Sequence, residues 1–169
     1  YDQLDKFIGK KTKVFGVSTM DPMGLAYVST TYNSLIGFGG EALNAAEFEK
    51  LMNHPAIKKY KPNVVVGGQG AWQISEAKAQ ERLGIDCLFY GEGEKDLVDF
   101  FKKLMKGEKL PKIFQAGKTD RENVPIIKHA ASYGMVEIMR GCGRGCAFCS
   151  PTMRHRHSFS LDHIMKEVE

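Results

Sequence analysis

The sequence predicts an α/β fold, a doubly wound parallel sheet with helices on both faces. Three observations predict it. Short β-branched runs bounded by turn formers alternate with amphipathic stretches between Lys13 and Gly107, in the order strand, helix, strand, helix, strand, helix. The strand runs carry little polar alternation, as expected of strands buried on both faces. The 169 residues, 43% hydrophobic and 26% charged, are enough for one domain with a real core and a remnant, and they exclude a disordered tail, a collagen-like rod or a disulfide miniprotein.

The first strand is Val14-Phe15-Gly16-Val17-Ser18, followed by the turn cluster Asp21-Pro22-Met23-Gly24 and an Ala/Ser/Thr-rich stretch of no clear pattern up to Gly39-Gly40. Glu41 to Met52 places Ala42, Ala45, Ala46, Phe48, Leu51 and Met52 at helical spacing. A second strand, Asn63 to Gly67-Gly68, leads to a helix from Ile74 to Leu83 that Gly84 caps. The third strand, Ile85 to Tyr90, ends in Gly91-Glu92-Gly93-Glu94. Lys95 to Lys106 then forms a helix with Leu97, Val98, Phe100, Phe101, Leu104 and Met105 on one face. Lys112 to Gln115 can add an edge strand. Residues 119–134 lose the pattern and read as a linker between a first unit, 1–118, and a second, 135–169. In the second unit Met135 to Met139 reads as a strand that delivers Arg140-Gly141 into a cysteine loop. Ser160 then caps a helix with Leu161, Ile164, Met165 and Val168 on one stripe. That stripe calls for a partner, either the first unit or a second copy of the chain.

Net charge is +4 and dispersed, which is no nucleic-acid footprint, although RNA as a substrate stays open. No apolar stretch is long enough to cross a bilayer. Tyr1 is not Met and Glu169 falls inside a helical pattern, so the sequence reads as a piece of a longer protein, inactive by itself.

Three of the four cysteines, Cys142, Cys146 and Cys149, lie in one C-x3-C-x2-C loop, and Cys87 stands alone in an apolar run. This is the arithmetic of a metal site in a reducing compartment. Three thiolates on one short loop can converge on an iron-sulfur cluster, and glycines 141, 143 and 145 let the backbone fold tightly around it. A 4Fe-4S cluster normally takes four cysteines, so three leave one iron open. Zinc is the alternative. It needs a fourth ligand, for which His155, His157 or His163 is available, but zinc knuckles usually present paired ligands rather than this loop. The basic run Arg154-His155-Arg156-His157 reads as a solvated face.

This loop, with Phe148 before the third cysteine, the Arg140-Gly141 lead-in and the helix that follows, resembles the start of a radical S-adenosylmethionine (radical SAM) domain. Upstream, Gly16-Val17-Ser18, Val64-Val65-Val66-Gly67-Gly68 and Gly84-Ile85-Asp86 through Gly91-Glu92-Gly93-Glu94 look like phrases of the Rossmann-like cobalamin-binding domain found before that loop in cobalamin-dependent members. The resemblance implies a Rossmann-like sheet followed by the first βα unit of a truncated partial TIM barrel. It implies a 4Fe-4S cluster on Cys142, Cys146 and Cys149, with the open iron chelating S-adenosylmethionine, whose reductive cleavage gives a 5′-deoxyadenosyl radical. Phe148 would lie near the adenine. Cobalamin would sit beyond the carboxyl ends of the strands, with Ser18, Gly67, Gly68, Gly91, Glu92 and Gly93 around it. Each of those glycines can equally serve only its turn, and the acids can serve only the helix N-terminus. The Asp-x-His-x-x-Gly ligand motif is absent, so no histidine is assigned as an axial ligand to cobalt.

Three functions follow from the resemblance. The first is a cobalamin-dependent methyltransferase. The second is a radical SAM iron-sulfur oxidoreductase whose N-terminal unit is a docking or substrate module without corrinoid. The third, a methylthiotransferase with a second cluster, calls for three further cysteines upstream where only Cys87 stands. The family chemistry also implies a reductant such as ferredoxin or flavodoxin and a cytoplasmic setting.

Overall fold

The computed structural model describes residues 3–36, 40–129 and 131–168. Gly39, Tyr1 and Glu169, which figured in the sequence expectations, lie outside the described residues. Four strands, β1 (Val14–Ser18), β2 (Asn63–Gly67), β3 (Cys87–Tyr90) and β4 (Ile113–Gln115), form one all-parallel sheet in the order β1-β2-β3-β4. The register pairs Val14 with Asn63, Val65 with Cys87 and Leu88 with Ile113. The protein is thus α/β, and β4 is the edge strand the sequence allowed.

Because side chains alternate across a strand, the β2 and β3 valines, leucine and aromatics divide between two cores. On one face Val64, Val66 and Leu88 meet Phe48, Met52, Ile57 and Ile74 from α2 (Leu43–Met52), α3 (Pro55–Tyr60) and α4 (Ala71–Glu76). On the other, Val65, Cys87 and Phe89 meet Phe100 and Leu104 of α5 (Gly93–Met105). Phe89, Phe100 and Phe114 form an aromatic cluster there, with ring centroids 4.8–5.3 Å apart.

Several elements differ from the sequence expectation, and α3 is one that the periodicity does not announce. The unread Ala/Ser/Thr-rich stretch contains a helix, α1 (Tyr27–Leu35), with no buried residue. Its poor helix formers give no periodic signal. Asp21 anchors its start by accepting from the Ala26 N–H at 2.9 Å and from the Ser29 hydroxyl. The expected helix from Ile74 to Leu83 is split. Lys78 adopts a left-handed conformation (φ +51°), Ala79 N–H bonds the Ile74 carbonyl and Lys78 N–H the Ser75 carbonyl, which ends α4. Gly84 then closes a separate turn in the same way, through Ile85 N–H to Gln80 and Gly84 N–H to Glu81. The strand expected over Met135 to Met139 shrinks to β5 (Met139–Arg140), paired antiparallel with β6 (His157–Ser158). Among the described residues its only ladder partner is the return of its own loop, and Met135 and Ile138 stay exposed.

The final helix, α6 (Leu161–Val168), starts where expected, with the Ser160 hydroxyl accepting from His163 N–H at 3.2 Å. It docks differently. Leu161, Met165 and Val168 are exposed, while His163 is buried against the Phe159 ring at 4.8 Å and Glu167 accepts from Ile127 N–H. The segment read as a linker is partly buried too, at Thr119 and Val124.

Candidate metal centre

The cysteine loop leaves the sheet pair β5–β6 directly. Arg140 is paired with His157, Gly141 turns at φ +70°, and a side chain on Gly141 would collide with the His155 carbonyl. Cys142 N–H donates to the Met153 carbonyl at 3.1 Å, and Cys149 N–H to the Cys146 carbonyl at 3.0 Å, so both arms of the loop are pinned. Gly143 and Gly145 also take positive φ, which only glycine adopts without strain. The three thiols are free, Cys142 exposed and Cys146 and Cys149 half-buried.

Among the described residues, no group of three or more His, Cys, Asp or Glu side chains stands close enough to hold a metal ion. The three cysteines therefore share a loop without being gathered into a ligand set, and no histidine completes one. The donor chemistry nevertheless fits an iron-sulfur cluster: three accessible sulfurs on one glycine-rich loop, with His163 committed to Phe159 and 3.9 Å from Glu167. Cys87 takes no part. It is fully buried in β3, and burial pushes its thiol up to about 11, so it is protonated at neutral pH and packs as a small hydrophobe. Phe148 is exposed, with its ring 6.2 Å from Tyr27 of α1. The loop thus lies beside the helix that follows β1.

At the carboxyl ends of the strands Ser18, Gly68 and Gly91 are exposed and Gly67 is half-buried. Ser18 ends β1 and Gly67 ends β2; Gly67 accepts from both the backbone and the hydroxyl of Thr19 at 2.9 Å. Gly68 sits at φ +88°, and a Cβ there would meet the Thr19 carbonyl at 2.5 Å and the Ser18 hydroxyl at 2.9 Å. A Cβ on Gly91 (φ +95°) would meet Ala116 at 3.2 Å, and one on Gly93 would meet Leu97 at 3.3 Å. Close approach is what these glycines permit, but what approaches is the neighbouring loop. Gly68 and Gly91 themselves remain exposed. A groove of about 680 Å³ lies elsewhere, toward the start of β1, between Lys11, Lys13, Gly16, Phe101 and Met105.

Glu92 caps α5 and forms a two-pronged pair with Arg121 at 2.6 and 3.1 Å. Burial by itself would raise the Glu92 carboxyl, but Arg121 and Arg140 outweigh it and hold the group below its ordinary value. Arg140 bonds Glu137 at 2.8 Å and Glu94 at 2.7 Å, and the hydrogen bond to Glu137 and then the pairing with Glu94 raise its pKa further. No local pattern signals these pairings across the chain. Nor does one mark Gln73, a fully buried amide that donates to Asp21 at 2.8 Å and accepts from Met23 N–H at 3.0 Å, holding the loop after β1. A buried glutamine in a six-residue helix that also carries Ser75 and Glu76 leaves no periodic trace.

The chain is 26% identical over 124 residues to tRNA-2-methylthio-N(6)-dimethylallyladenosine synthase of Chloroherpeton thalassium (strain ATCC 35110 / GB-78), a stretch covering 71% of this chain. The match supports a radical SAM relationship. It covers 28% of that relative's own length. No family model matches the chain, and no solved structure matches it. The similarity falls on a methylthio-transferring enzyme, the class for which this chain offers only Cys87 upstream of its cysteine loop.

Proposed function

We propose that the chain is the cluster-bearing part of a radical SAM iron-sulfur enzyme, in which Cys142, Cys146 and Cys149 hold a 4Fe-4S cluster and the α/β unit serves as a docking scaffold without corrinoid. The three-cysteine loop is the observation that carries the first half. Bound there, a cluster would supply the electron for reductive cleavage of S-adenosylmethionine. Cys142, Cys146 and Cys149 would act as thiolate ligands, and their convergence requires the loop to close through Gly143 and Gly145. Arg144 stands on the loop and Arg156 just before β6, where their charge would offset that of the thiolates. Phe148, exposed beside the third cysteine, is the surface on which an adenine would stack.

The scaffold half of the reading is supported by the ion pairs that tie Glu92 and Glu94 of the α/β unit to Arg140 beside the cysteine loop. A methylthio transfer remains the second reading on the similarity to the tRNA-modifying relative.

Anaerobic reconstitution with iron and sulfide tests the whole. About four iron and four sulfide per chain are expected, lost when any one of Cys142, Cys146 or Cys149 is replaced by Ser and retained in Cys87→Ser. Corrinoid offered in the same preparation should not co-purify. Stoichiometric corrinoid would restore the methyltransferase reading, and iron uptake indifferent to the three cysteines would overturn the cluster assignment.

A further inference from the structure

The two acids of Gly91-Glu92-Gly93-Glu94 reach across to the one arginine that precedes the cysteine loop. Arg140 Nη2 lies 2.7 Å from Glu94, Nε lies 2.8 Å from Glu137, and Nη1 lies 3.7 Å from Glu92. Glu92 is itself fixed by Arg121, and the buried Phe159 ring lies 5.7 Å from both guanidinium carbons. These side chains are largely withdrawn from water: Arg121 is 15%, Glu94 21% and Arg140 25% exposed, so solvent screens the pairs less than at an open surface. Arg140 is two residues from Cys142, at most about 7 Å along the backbone. The intervening Gly141 has no room for a side chain, and the far side of the ladder is tied by Cys142 N–H to Met153 and Phe159 N–H to Ile138. Where Arg140 is held, the first cysteine is held.

We propose that Glu92 and Glu94, at the start of α5, are positioning residues for the cysteine loop and act through Arg140. The α/β unit then contributes directly to the metal centre: the first turn of its last helix sets where Cys142 stands relative to the sheet. The inference rests on the reading of the loop as a cluster site, but the placement it describes can be measured without metal.

The test compares the wild-type chain with Glu94→Gln, Glu92→Gln/Glu94→Gln and Arg140→Lys. The glutamines keep shape and remove charge, and the lysine keeps charge but cannot bond Glu94 and Glu137 with a planar fork. In the metal-free chain, amide hydrogen exchange at Cys142 and Phe159 should quicken by about tenfold in the double variant while Val65 and Leu88 in the sheet are unchanged. Arg140→Lys should fall between. After anaerobic reconstitution, removal of iron by a chelator should quicken in the same order, and the electron paramagnetic resonance shift on adding S-adenosylmethionine should broaden. Unchanged exchange at Cys142 and Phe159 would overturn the proposal, as would an equal rise at Val65, which would mean that the acids serve the fold at large. If the wild-type chain takes up no iron, the cluster reading fails, and the exchange data still decide whether the acids position the loop.

Discussion

Gln73 uses both ends of its amide inside the core, donating a hydrogen bond to Asp21 and accepting one from the backbone of the loop it supports. A buried polar group left without its partner costs more than the bond it made, because water cannot replace it. Gln73→Leu should therefore destabilise the chain by about 2–3 kcal/mol, read as a lower urea midpoint at constant slope. Gly68 makes the same point with backbone. At φ +88° and with Thr19 where a Cβ would stand, Gly68→Ala should cost about 2–4 kcal/mol, whereas Gly84→Ala, strained in φ but open in space, should cost nearer 1 kcal/mol. Equal losses at the two glycines would contradict the close approach of Thr19. Neither effect is legible in the sequence, since a glutamine in a helix and a glycine after a strand have ordinary solvent-side and turn roles.

Helices with a broad apolar face were legible, and their depth of burial was not. In α5 the six apolar residues expected on one face divide: Phe100 and Leu104 are buried, Leu97 and Phe101 pack at the margin, and Val98 and Met105 are exposed. Only a stripe roughly 100° wide can touch the sheet, and positions 98 and 105, one heptad apart, run along its edge. Phe100→Ala should cost about 3–5 kcal/mol and Val98→Ala less than about 0.5 kcal/mol, by thermal or urea unfolding. In α3 the signal is local and not periodic: the His54 imidazole accepts from Ala56 N–H at 3.2 Å and Pro55 occupies the first turn. In α6 the expected apolar stripe lies mostly in water, because His163, four residues from Glu167, is the residue that meets Phe159.

Acids hold the molecule together at two places, Asp21 under the loop after β1 and Glu92 between the sheet unit and the cysteine unit. For Asp21, burial raises the carboxyl but the Ser29 hydroxyl, Ala26 N–H and Gln73 amide more than offset it, so both groups have lowered folded-state pKa values. A lowered value means that the unfolded chain takes up protons first. The stability these groups contribute is complete above their ordinary values of 4.5 for Glu92 and 3.8 for Asp21 and is lost as pH falls below them. The melting temperature should hold level from pH 7 to about 5 and then fall. In Glu92→Gln the start of that fall should move toward the Asp21 range, and an unaltered acid limb would show that Glu92 contributes nothing.

By itself the sequence determined the strands β1, β2 and β3 and the helices α2, α5 and α6, the two-sided burial of β2 and β3, the apolar burial of Cys87 and the placing of Cys142, Cys146 and Cys149 in one loop. All of these are written in neighbouring residues: a period of two or 3.6, a bounded β-branched run, three cysteines in eight positions. Tertiary structure decided what each element meets. The Cβ direction of Gly68 is occupied by Thr19 and that of Gly91 by Ala116, so at both positions the neighbouring loop excludes a side chain. Glu94 faces Arg140, 46 positions away, so acids that suggested a helix N-terminus or a cofactor rim join the sheet unit to the cysteine loop. Periodicity records whether a side chain is turned inward or outward; the identity of its partner depends on how distant segments cross, and no local pattern encodes that.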